Sequence, residues 1–132
     1  MRDDALEKGF AMRRRVVGAK HVEASLTSGD DFAQPMQELA TRYCWGDVWN
    51  REGLELKTRS LLIVAMLASL NRPTELRLHI RGALRNGAGR AEIRETLLQV
   101  AVYAGMPAGL EAFRQAKTAF GEHESDGETV TP

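Results

Sequence analysis

The 132-residue sequence predicts an all-α protein, built as a helical bundle, for three reasons. No segment alternates apolar and polar residues with a period of two, as a half-buried strand would. Apolar residues instead recur at helical spacing in about six segments that end near glycine or proline. One of these segments, Leu56 to Leu70, is apolar on nearly every side. Such a helix is typically buried in the centre of a protein or against a neighbouring subunit.

The first part of the chain predicts two helices. The first runs from about Asp3 to Val17, and Gly18 ends it because glycine adopts the left-handed conformation at little cost. A polar connection over residues 19–29 follows, in which residues 20–23 are compatible with a short turn of helix. The second helix begins near Asp30 or Asp31, since either side chain can cap the free N–H groups of a helix start.

Three more helices follow the apolar segment. They are predicted from Pro73 to about Asn86, from Arg90 to Ala104, and onward from Pro107, with glycines after the first two. Residues 1–122 are therefore expected to form one domain. Residues 123–132 are polar and acidic, which is typical of a disordered tail.

Composition excludes several classes of function. Eighteen basic residues balance eighteen acidic ones, whereas a nucleic-acid-binding protein normally carries a basic excess. The single cysteine, Cys44, can form neither an intrachain disulfide nor a Cys-x-x-Cys pair. The apolar run from Leu61 to Leu70 is too short to span a bilayer, and the N-terminus has no signal-peptide core, so a cytoplasmic protein is expected. No phosphate-binding loop, nucleophile elbow or metal-binding motif is present, so neither a cofactor nor a metal is expected.

Ionisable side chains are concentrated at the start of the helix that opens at Pro73. Glu75 and His79 are four residues apart and share one helix face, and Arg72 can approach the same end. A carboxylate beside an imidazole fixes which ring nitrogen carries the proton, an arrangement suited to a general acid or base. A surface Glu–His pair without a catalytic role has the same spacing, and from spacing alone this interpretation is favoured over a catalytic pair. The expected burial of the neighbouring Leu76 and Ile80 increases the support for a catalytic pair.

A second unusual segment, Arg42 to Trp49, contains both tryptophans and the only cysteine. Large aromatic side chains at this density are equally typical of a packed core or subunit interface and of a ligand pocket. For Cys44, an inert thiol is favoured over a nucleophile.

These segments resemble the carboxymuconolactone decarboxylase family. The matching stretches are residues 41–49, 57–62, 75–79 and 99–108. The resemblance implies the helical fold that this family shares with alkylhydroperoxidases, and a trimer or hexamer. The peroxidase relatives carry Cys-x-x-Cys followed four residues later by histidine. Arg72 and Glu75 stand at the two cysteine positions before His79, which argues against peroxidase activity and for acid–base chemistry.

The activity that the resemblance implies is decarboxylation of 4-carboxymuconolactone to 3-oxoadipate enol-lactone and CO2, a step in protocatechuate catabolism by the β-ketoadipate pathway. The lactone ring itself accepts the electrons, so no cofactor is required. His79 is the expected proton donor, and Glu75 is expected to orient it.

The substrate carboxylates require cations, and Arg42, Arg72 or Arg77 could supply them. Trp45 is expected to exclude water. Three alternatives remain at this point. They are a member of the same fold that acts on a related lactone, a non-catalytic oligomeric binding protein, and a thiol peroxidase, which the lone cysteine disfavours.

Overall fold

The computed structural model describes residues 3–132, and among these residues it contains seven α-helices, one π-helical segment and no strand. The predicted all-α fold is confirmed. The α-helices are α1 (Asp4–Val17), α2 (Ala19–Ser28), α3 (Gln34–Leu39), α4 (Leu56–Ser69), α5 (Pro73–Arg85), α6 (Arg90–Ala104) and α7 (Met106–Ser125). The π-helical segment, Ala40–Val48, continues directly from α3. No helix in this part of the chain is both long enough and apolar enough to cross a membrane.

Helix α2 is longer than the sequence predicts, since only a short turn over residues 20–23 is expected within a polar connection. Its one fully buried side chain is Val22, and Leu26 one turn later is half-buried. Two apolar residues at helical spacing are too few to indicate a helix of ten residues.

The chain divides into two compact units, Met1–Glu55 and Leu56–Pro132. The single domain over residues 1–122 stays a prediction. The main cluster of buried apolar residues draws all its members from Val64 to Ala119 and therefore from the second unit. The first unit has buried side chains of its own, among them Leu6 and Phe10.

Within the first unit, α1 packs closely against the π-helical segment, and two glycines permit the approach. A Cβ atom at Gly9 would overlap the carbonyl oxygen of Thr41, and one at Gly46 would overlap the carbonyl oxygen of Ala5. The buried guanidinium of Arg13 donates a hydrogen bond to the Thr41 hydroxyl at 3.1 Å. Helix α1 and the π-helical segment are thus joined by close backbone contact and by one buried polar contact.

The π-helical segment has hydrogen bonds that span five residues rather than four. At its end the N–H of Trp49 donates to the carbonyl of Cys44 at 2.9 Å. The Asn50 side chain then donates to the carbonyl of Trp45 at 2.8 Å, so it caps one of the free carbonyls of the helix end. π-Helical turns are rare and frequently lie at functional sites.

Helix α4 in the second unit has two apolar faces. Ser60, Val64 and Ala68 are buried in the unit at a spacing of four residues. A second set with the same spacing remains exposed, namely Leu62 and Met66 in the helix and Leu70 directly after it. One face therefore packs within the chain, and the other is available to a partner.

The sequence predicts a disordered tail over residues 123–132, whereas the structure gives this segment defined backbone contacts. Helix α7 continues to Ser125, and the backbone beyond it folds back onto the start of α6. There the N–H of Arg90 donates to the carbonyl of Thr131 at 2.9 Å, and the N–H of Ala91 donates to that of Pro132 at 2.8 Å. These carbonyls satisfy two of the free donors that every helix start presents.

Ion pairs hold the same segment against α5. Glu128 accepts bidentate hydrogen bonds from Arg85, both at 2.8 Å, and a third from Arg81 at 2.8 Å. Arg81 also pairs with Asp126 at 2.7 Å. The hydrogen bonds from Arg85 have the largest effect on the pKa of Glu128. Together with the charge of Arg85 and the hydrogen bond from Arg81 they lower it to about 2, against the opposing effect of burial.

His123 lies beside this network and is almost completely buried. Its Nδ1 accepts a hydrogen bond from Nε of Arg81 at 3.0 Å, which assigns the proton of the neutral ring to Nε2. The 3.4 Å approach of the same Nδ1 to Glu128 is therefore a contact and not an ion pair. Burial lowers the pKa of His123, and this agrees with a neutral ring.

Replacement of Glu128 by Gln should lower the free energy of unfolding by about 1–2 kcal/mol at pH 7. The effect is modest because part of the carboxylate is exposed to solvent, which weakens its ion pairs. The pKa of Glu128 is lowered on folding from 4.5 to about 2, so its stabilisation is complete above about pH 4.5 and is lost as the pH falls towards 2. The difference in free energy of unfolding between wild type and E128Q should therefore shrink over this range. Urea unfolding at several pH values measures it. Glu124→Gln, at an exposed position of α7, is the control and should show no such dependence.

The exposed apolar face of α4 predicts a homo-oligomer. Light scattering at micromolar concentration should report a mass above that of the monomer. Met66→Glu would place a charge in the interface and should weaken association at least about tenfold, whereas Met66→Leu should preserve it. A wild-type protein that is monomeric under these conditions would contradict the prediction.

Candidate active site

Helix α5 starts at a tight corner after α4. Asn71 adopts a left-handed conformation, with φ of 59°, which asparagine tolerates better than most residues. The N–H of Arg72 then donates to the carbonyl of Leu67 at 3.0 Å and closes the end of α4. Pro73 opens α5 at a position where its missing N–H causes no loss. This corner places Arg72 and Glu75 at the positive end of the α5 dipole.

The orientation of α5 about its own axis is set by two side chains. Leu76 is 1% exposed and Ile80 is 0% exposed, so the expectation that both are buried is confirmed. With these residues directed inward, His79 is half-buried and Glu75 is exposed. The Nδ1 atom of His79 is shielded from solvent. The imidazole therefore lies at the boundary between core and surface, where one part of the ring can meet a ligand.

Glu75 and His79 are one helical turn apart on α5. Among the described residues 3–132, Glu75 forms no hydrogen bond and no ion pair. The expected contact that would orient the imidazole is therefore not made by Glu75 within the chain. Its role stays a prediction.

The two arginines predicted near this helix differ in their surroundings. Nε of Arg77 lies 3.5 Å from a carboxylate oxygen of Glu122 on α7, and both side chains are partly exposed. Arg72 is exposed and donates one long hydrogen bond, 3.3 Å, to the carbonyl of Leu70. No carboxylate among residues 3–132 pairs with it. Arg72 is thus the more available of the two for an anionic ligand.

Arg42 belongs to the first unit and has a structural partner there. It donates to one carboxylate oxygen of Asp3, at 2.8 Å from Nη2 and 3.2 Å from Nε. The other oxygen of Asp3 accepts from the N–H of Leu6 at 2.8 Å and caps α1. The backbone hydrogen bond from Leu6, followed by that from Arg42, lowers the pKa of Asp3. Arg42 therefore helps to hold the cap of α1.

Trp45 is also in the first unit, where it is buried and stacked on Trp49. The ring centroids are 4.9 Å apart and the planes differ by 21°. Cys44 is an exposed residue, but partial desolvation of its sulfur raises the pKa of the thiol and outweighs the opposing effect of a hydrogen bond with the Trp49 indole. A raised pKa disfavours the reactive thiolate, which supports the inert role expected for Cys44. Core packing, one of the two interpretations left open by the sequence, accounts for both tryptophans.

Several polar residues that the sequence analysis did not single out have defined partners. Ser60 is fully buried and accepts a hydrogen bond from Asn86 at 2.9 Å, and the network around Glu128 is described above. Their partners are distant in sequence, so no local pattern could reveal them. In the part of the chain that is described, no group of three or more His, Cys, Asp or Glu side chains is placed to hold a metal ion.

Comparison with known proteins agrees with this architecture. Residues 34–118 match the carboxymuconolactone decarboxylase family. The chain is 41% identical to 4-carboxymuconolactone decarboxylase of Acinetobacter baylyi over 114 residues, which cover 86% of this chain and 85% of that protein. It is 39% identical to nitrosuccinic acid decarboxylase of Metarhizium robertsii over 126 residues, which cover 96% and 88%.

A third relative is an uncharacterised 15.0 kDa protein of Paracoccus denitrificans, 36% identical over 62% of this chain and 63% of that protein. The family match covers the π-helical segment and all of α4, α5 and α6, and so includes the candidate residues on α5. The two relatives of known activity are both decarboxylases and both align over more than four-fifths of the chain. The chain belongs to the carboxymuconolactone decarboxylase family.

Proposed function

We propose that this protein decarboxylates 4-carboxymuconolactone to 3-oxoadipate enol-lactone. The observation that carries the proposal is the 41% identity to a 4-carboxymuconolactone decarboxylase across most of both chains. The composition of the α5 corner supports it, because an available cation and a half-buried imidazole lie within two turns of one helix.

The reaction needs little beyond binding and one proton transfer. The departing carboxylate is attached to the ring carbon next to the double bond. As its C–C bond breaks, the electron pair moves through that double bond into the lactone carbonyl. A proton then adds to the carbon beside the carbonyl, and CO2 leaves. The substrate is its own electron sink, so the protein must hold the anion, stabilise the developing negative charge and deliver the proton.

Arg72 is the residue we assign to anion binding. Its guanidinium is exposed and lacks a carboxylate partner among the described residues, whereas Arg77 approaches Glu122 and Arg42 binds Asp3. Its position at the start of α5 adds the favourable field of the helix dipole. A guanidinium can bind a carboxylate with two parallel hydrogen bonds, which fixes the orientation of the substrate as well as its position.

His79 is the residue we assign to proton delivery. A half-buried imidazole can exchange its proton with solvent and still meet a bound ligand, and histidine is the side chain most often used for proton transfer in enzymes. Glu75 lies one turn away with an uncommitted carboxylate. In the proposal it acts on His79 only when the substrate is bound, since catalytic contacts often tighten in the complex.

A second candidate substrate is nitrosuccinic acid, because a nitrosuccinic acid decarboxylase aligns over 96% of this chain. Decarboxylation of nitrosuccinate is chemically related to decarboxylation of the lactone. When the carboxylate on the nitro-bearing carbon departs, the nitro group takes up the electron pair, and a second carboxylate remains to be bound. The same cation and proton donor would serve either compound. The choice between them depends on the shape of the pocket.

Incubation of the purified protein with each compound separates the candidates. In D2O, with CO2 release and NMR spectra recorded together, 4-carboxymuconolactone should give the enol-lactone with one deuterium beside the carbonyl. Turnover should survive dialysis against a chelator. Faster release of CO2 from nitrosuccinate would identify nitrosuccinate, and not the lactone, as the substrate. If neither compound lost CO2, the decarboxylase proposal would fail and a non-catalytic binding protein would remain.

His79→Ala should reduce kcat by roughly 100- to 10,000-fold, because it removes the proton donor. Glu75→Gln should reduce it less, and the double variant should be little slower than H79A, since residues that act as one unit are non-additive. Steady-state rates of CO2 release measure all three. Cys44→Ser is the control and should keep most activity. A normal rate for H79A together with an inactive C44S would assign the chemistry to the first unit.

A further inference from the structure

A cavity of about 210 Å³ opens between α6 and α7 of the second unit. Its apolar wall is continuous with the core: Ile93 and Leu97 are fully buried, and Ala116 is 4% exposed. Phe113 and Phe120 are partly buried and present aromatic surface to the cavity. None of the candidate catalytic residues on α5 lines it.

The remaining lining residues are all cations, Arg90, Arg94 and Lys117, and no carboxylate is among them. Arg94 approaches Glu95 at 3.0 Å, but both side chains are largely exposed, and such a pair is weak enough to open for a ligand. Neither Arg90 nor Lys117 pairs with a carboxylate within residues 3–132. A chain with equal numbers of acidic and basic residues thus has a local positive excess at an apolar cavity.

The position of Arg90 is fixed from two sides. Its guanidinium lies over the ring of Phe120, 5.1 Å from the centroid, in a cation–π contact. Its backbone N–H is held by the carbonyl of Thr131. The same tail occupies the N–H groups at the start of α6, so positive charge at the cavity comes from side chains and not from a free helix end. The cavity is therefore formed before a ligand arrives, which reduces the entropy lost on binding.

We propose that this cavity is a binding site for a small aromatic carboxylate, separate from the decarboxylation chemistry. Aromatic and aliphatic walls suit a planar apolar ring, and the cations suit a single carboxylate at its edge. Drug-sized ligands occupy pockets of roughly 300–1,000 Å³, so a smaller volume limits the ligand to one or two rings. The lining offers no His, Glu or Asp for acid–base chemistry, and the site therefore binds without reacting.

Titration with 2-naphthoate tests the proposal, with 2-naphthamide as the uncharged analogue of the same shape. Calorimetry should give a Kd of about 0.1–1 mM for the acid, and binding at least about tenfold weaker for the amide. Nuclear Overhauser contacts should connect the naphthyl protons to Phe113 and Phe120. Equal affinity for the two compounds, or contacts to other residues, would overturn the assignment.

Lys117→Met and Arg114→Met form a matched pair of variants. Both remove one positive charge from an exposed position of α7, but Arg114 does not line the cavity and pairs with Glu111. We expect K117M to weaken binding of 2-naphthoate about threefold to tenfold and R114M to leave it unchanged. Circular dichroism should show both variants folded. The same affinity in both variants would exclude the cavity as the site.

Discussion

Leu76 and Ile80 are buried almost completely in the core of the second unit, and their burial fixes the rotation of α5 about its own axis. Every other side chain of this helix takes its direction from them. His79 is held at the edge of the core, while Arg81 and Arg85 point to the ordered segment that follows α7. The imidazole that we propose as proton donor and a structural ion-pair network can share thirteen residues because the helical repeat separates their faces. A substitution that turned this helix would disturb both at once.

Much of the fold could be predicted because its signals are local. Glycines after α1 and α6, proline at the start of α5 and the apolar run of α4 set helix ends to within a residue or two. The order of residues 123–132 could not be predicted, since it depends on Glu128 meeting two arginines more than forty positions earlier. A polar segment held by distant ion pairs has the same composition as a disordered one. The π-helical turn could not be predicted from the sequence either. It accompanies the close packing of α1 on this segment, where Gly9 approaches Thr41 and Gly46 approaches Ala5.

The candidate site shows the same division between local and distant information. Spacing placed Arg72, Glu75 and His79 together on α5, and the resemblance to a family gave them their roles. Sequence could not show that Arg42 caps α1 through Asp3 or that Arg77 approaches Glu122, because both partners lie far along the chain. The structure was therefore needed to decide which arginine is most available to bind an anionic ligand. Trp45 stays a predicted pocket wall, and its burial and stacking on Trp49 agree with a packed core.

The stacked pair of Trp45 and Trp49 has a spectroscopic consequence. These are the only tryptophans in the sequence, and both lie in the first unit, within 4.9 Å of one another. Intrinsic indole fluorescence therefore reports on that unit alone and has no chromophore in the unit that carries His79. An unfolding curve recorded by emission would follow the separation of α1 from the π-helical segment. Loss of the candidate site would have to be observed by another signal, such as far-ultraviolet dichroism.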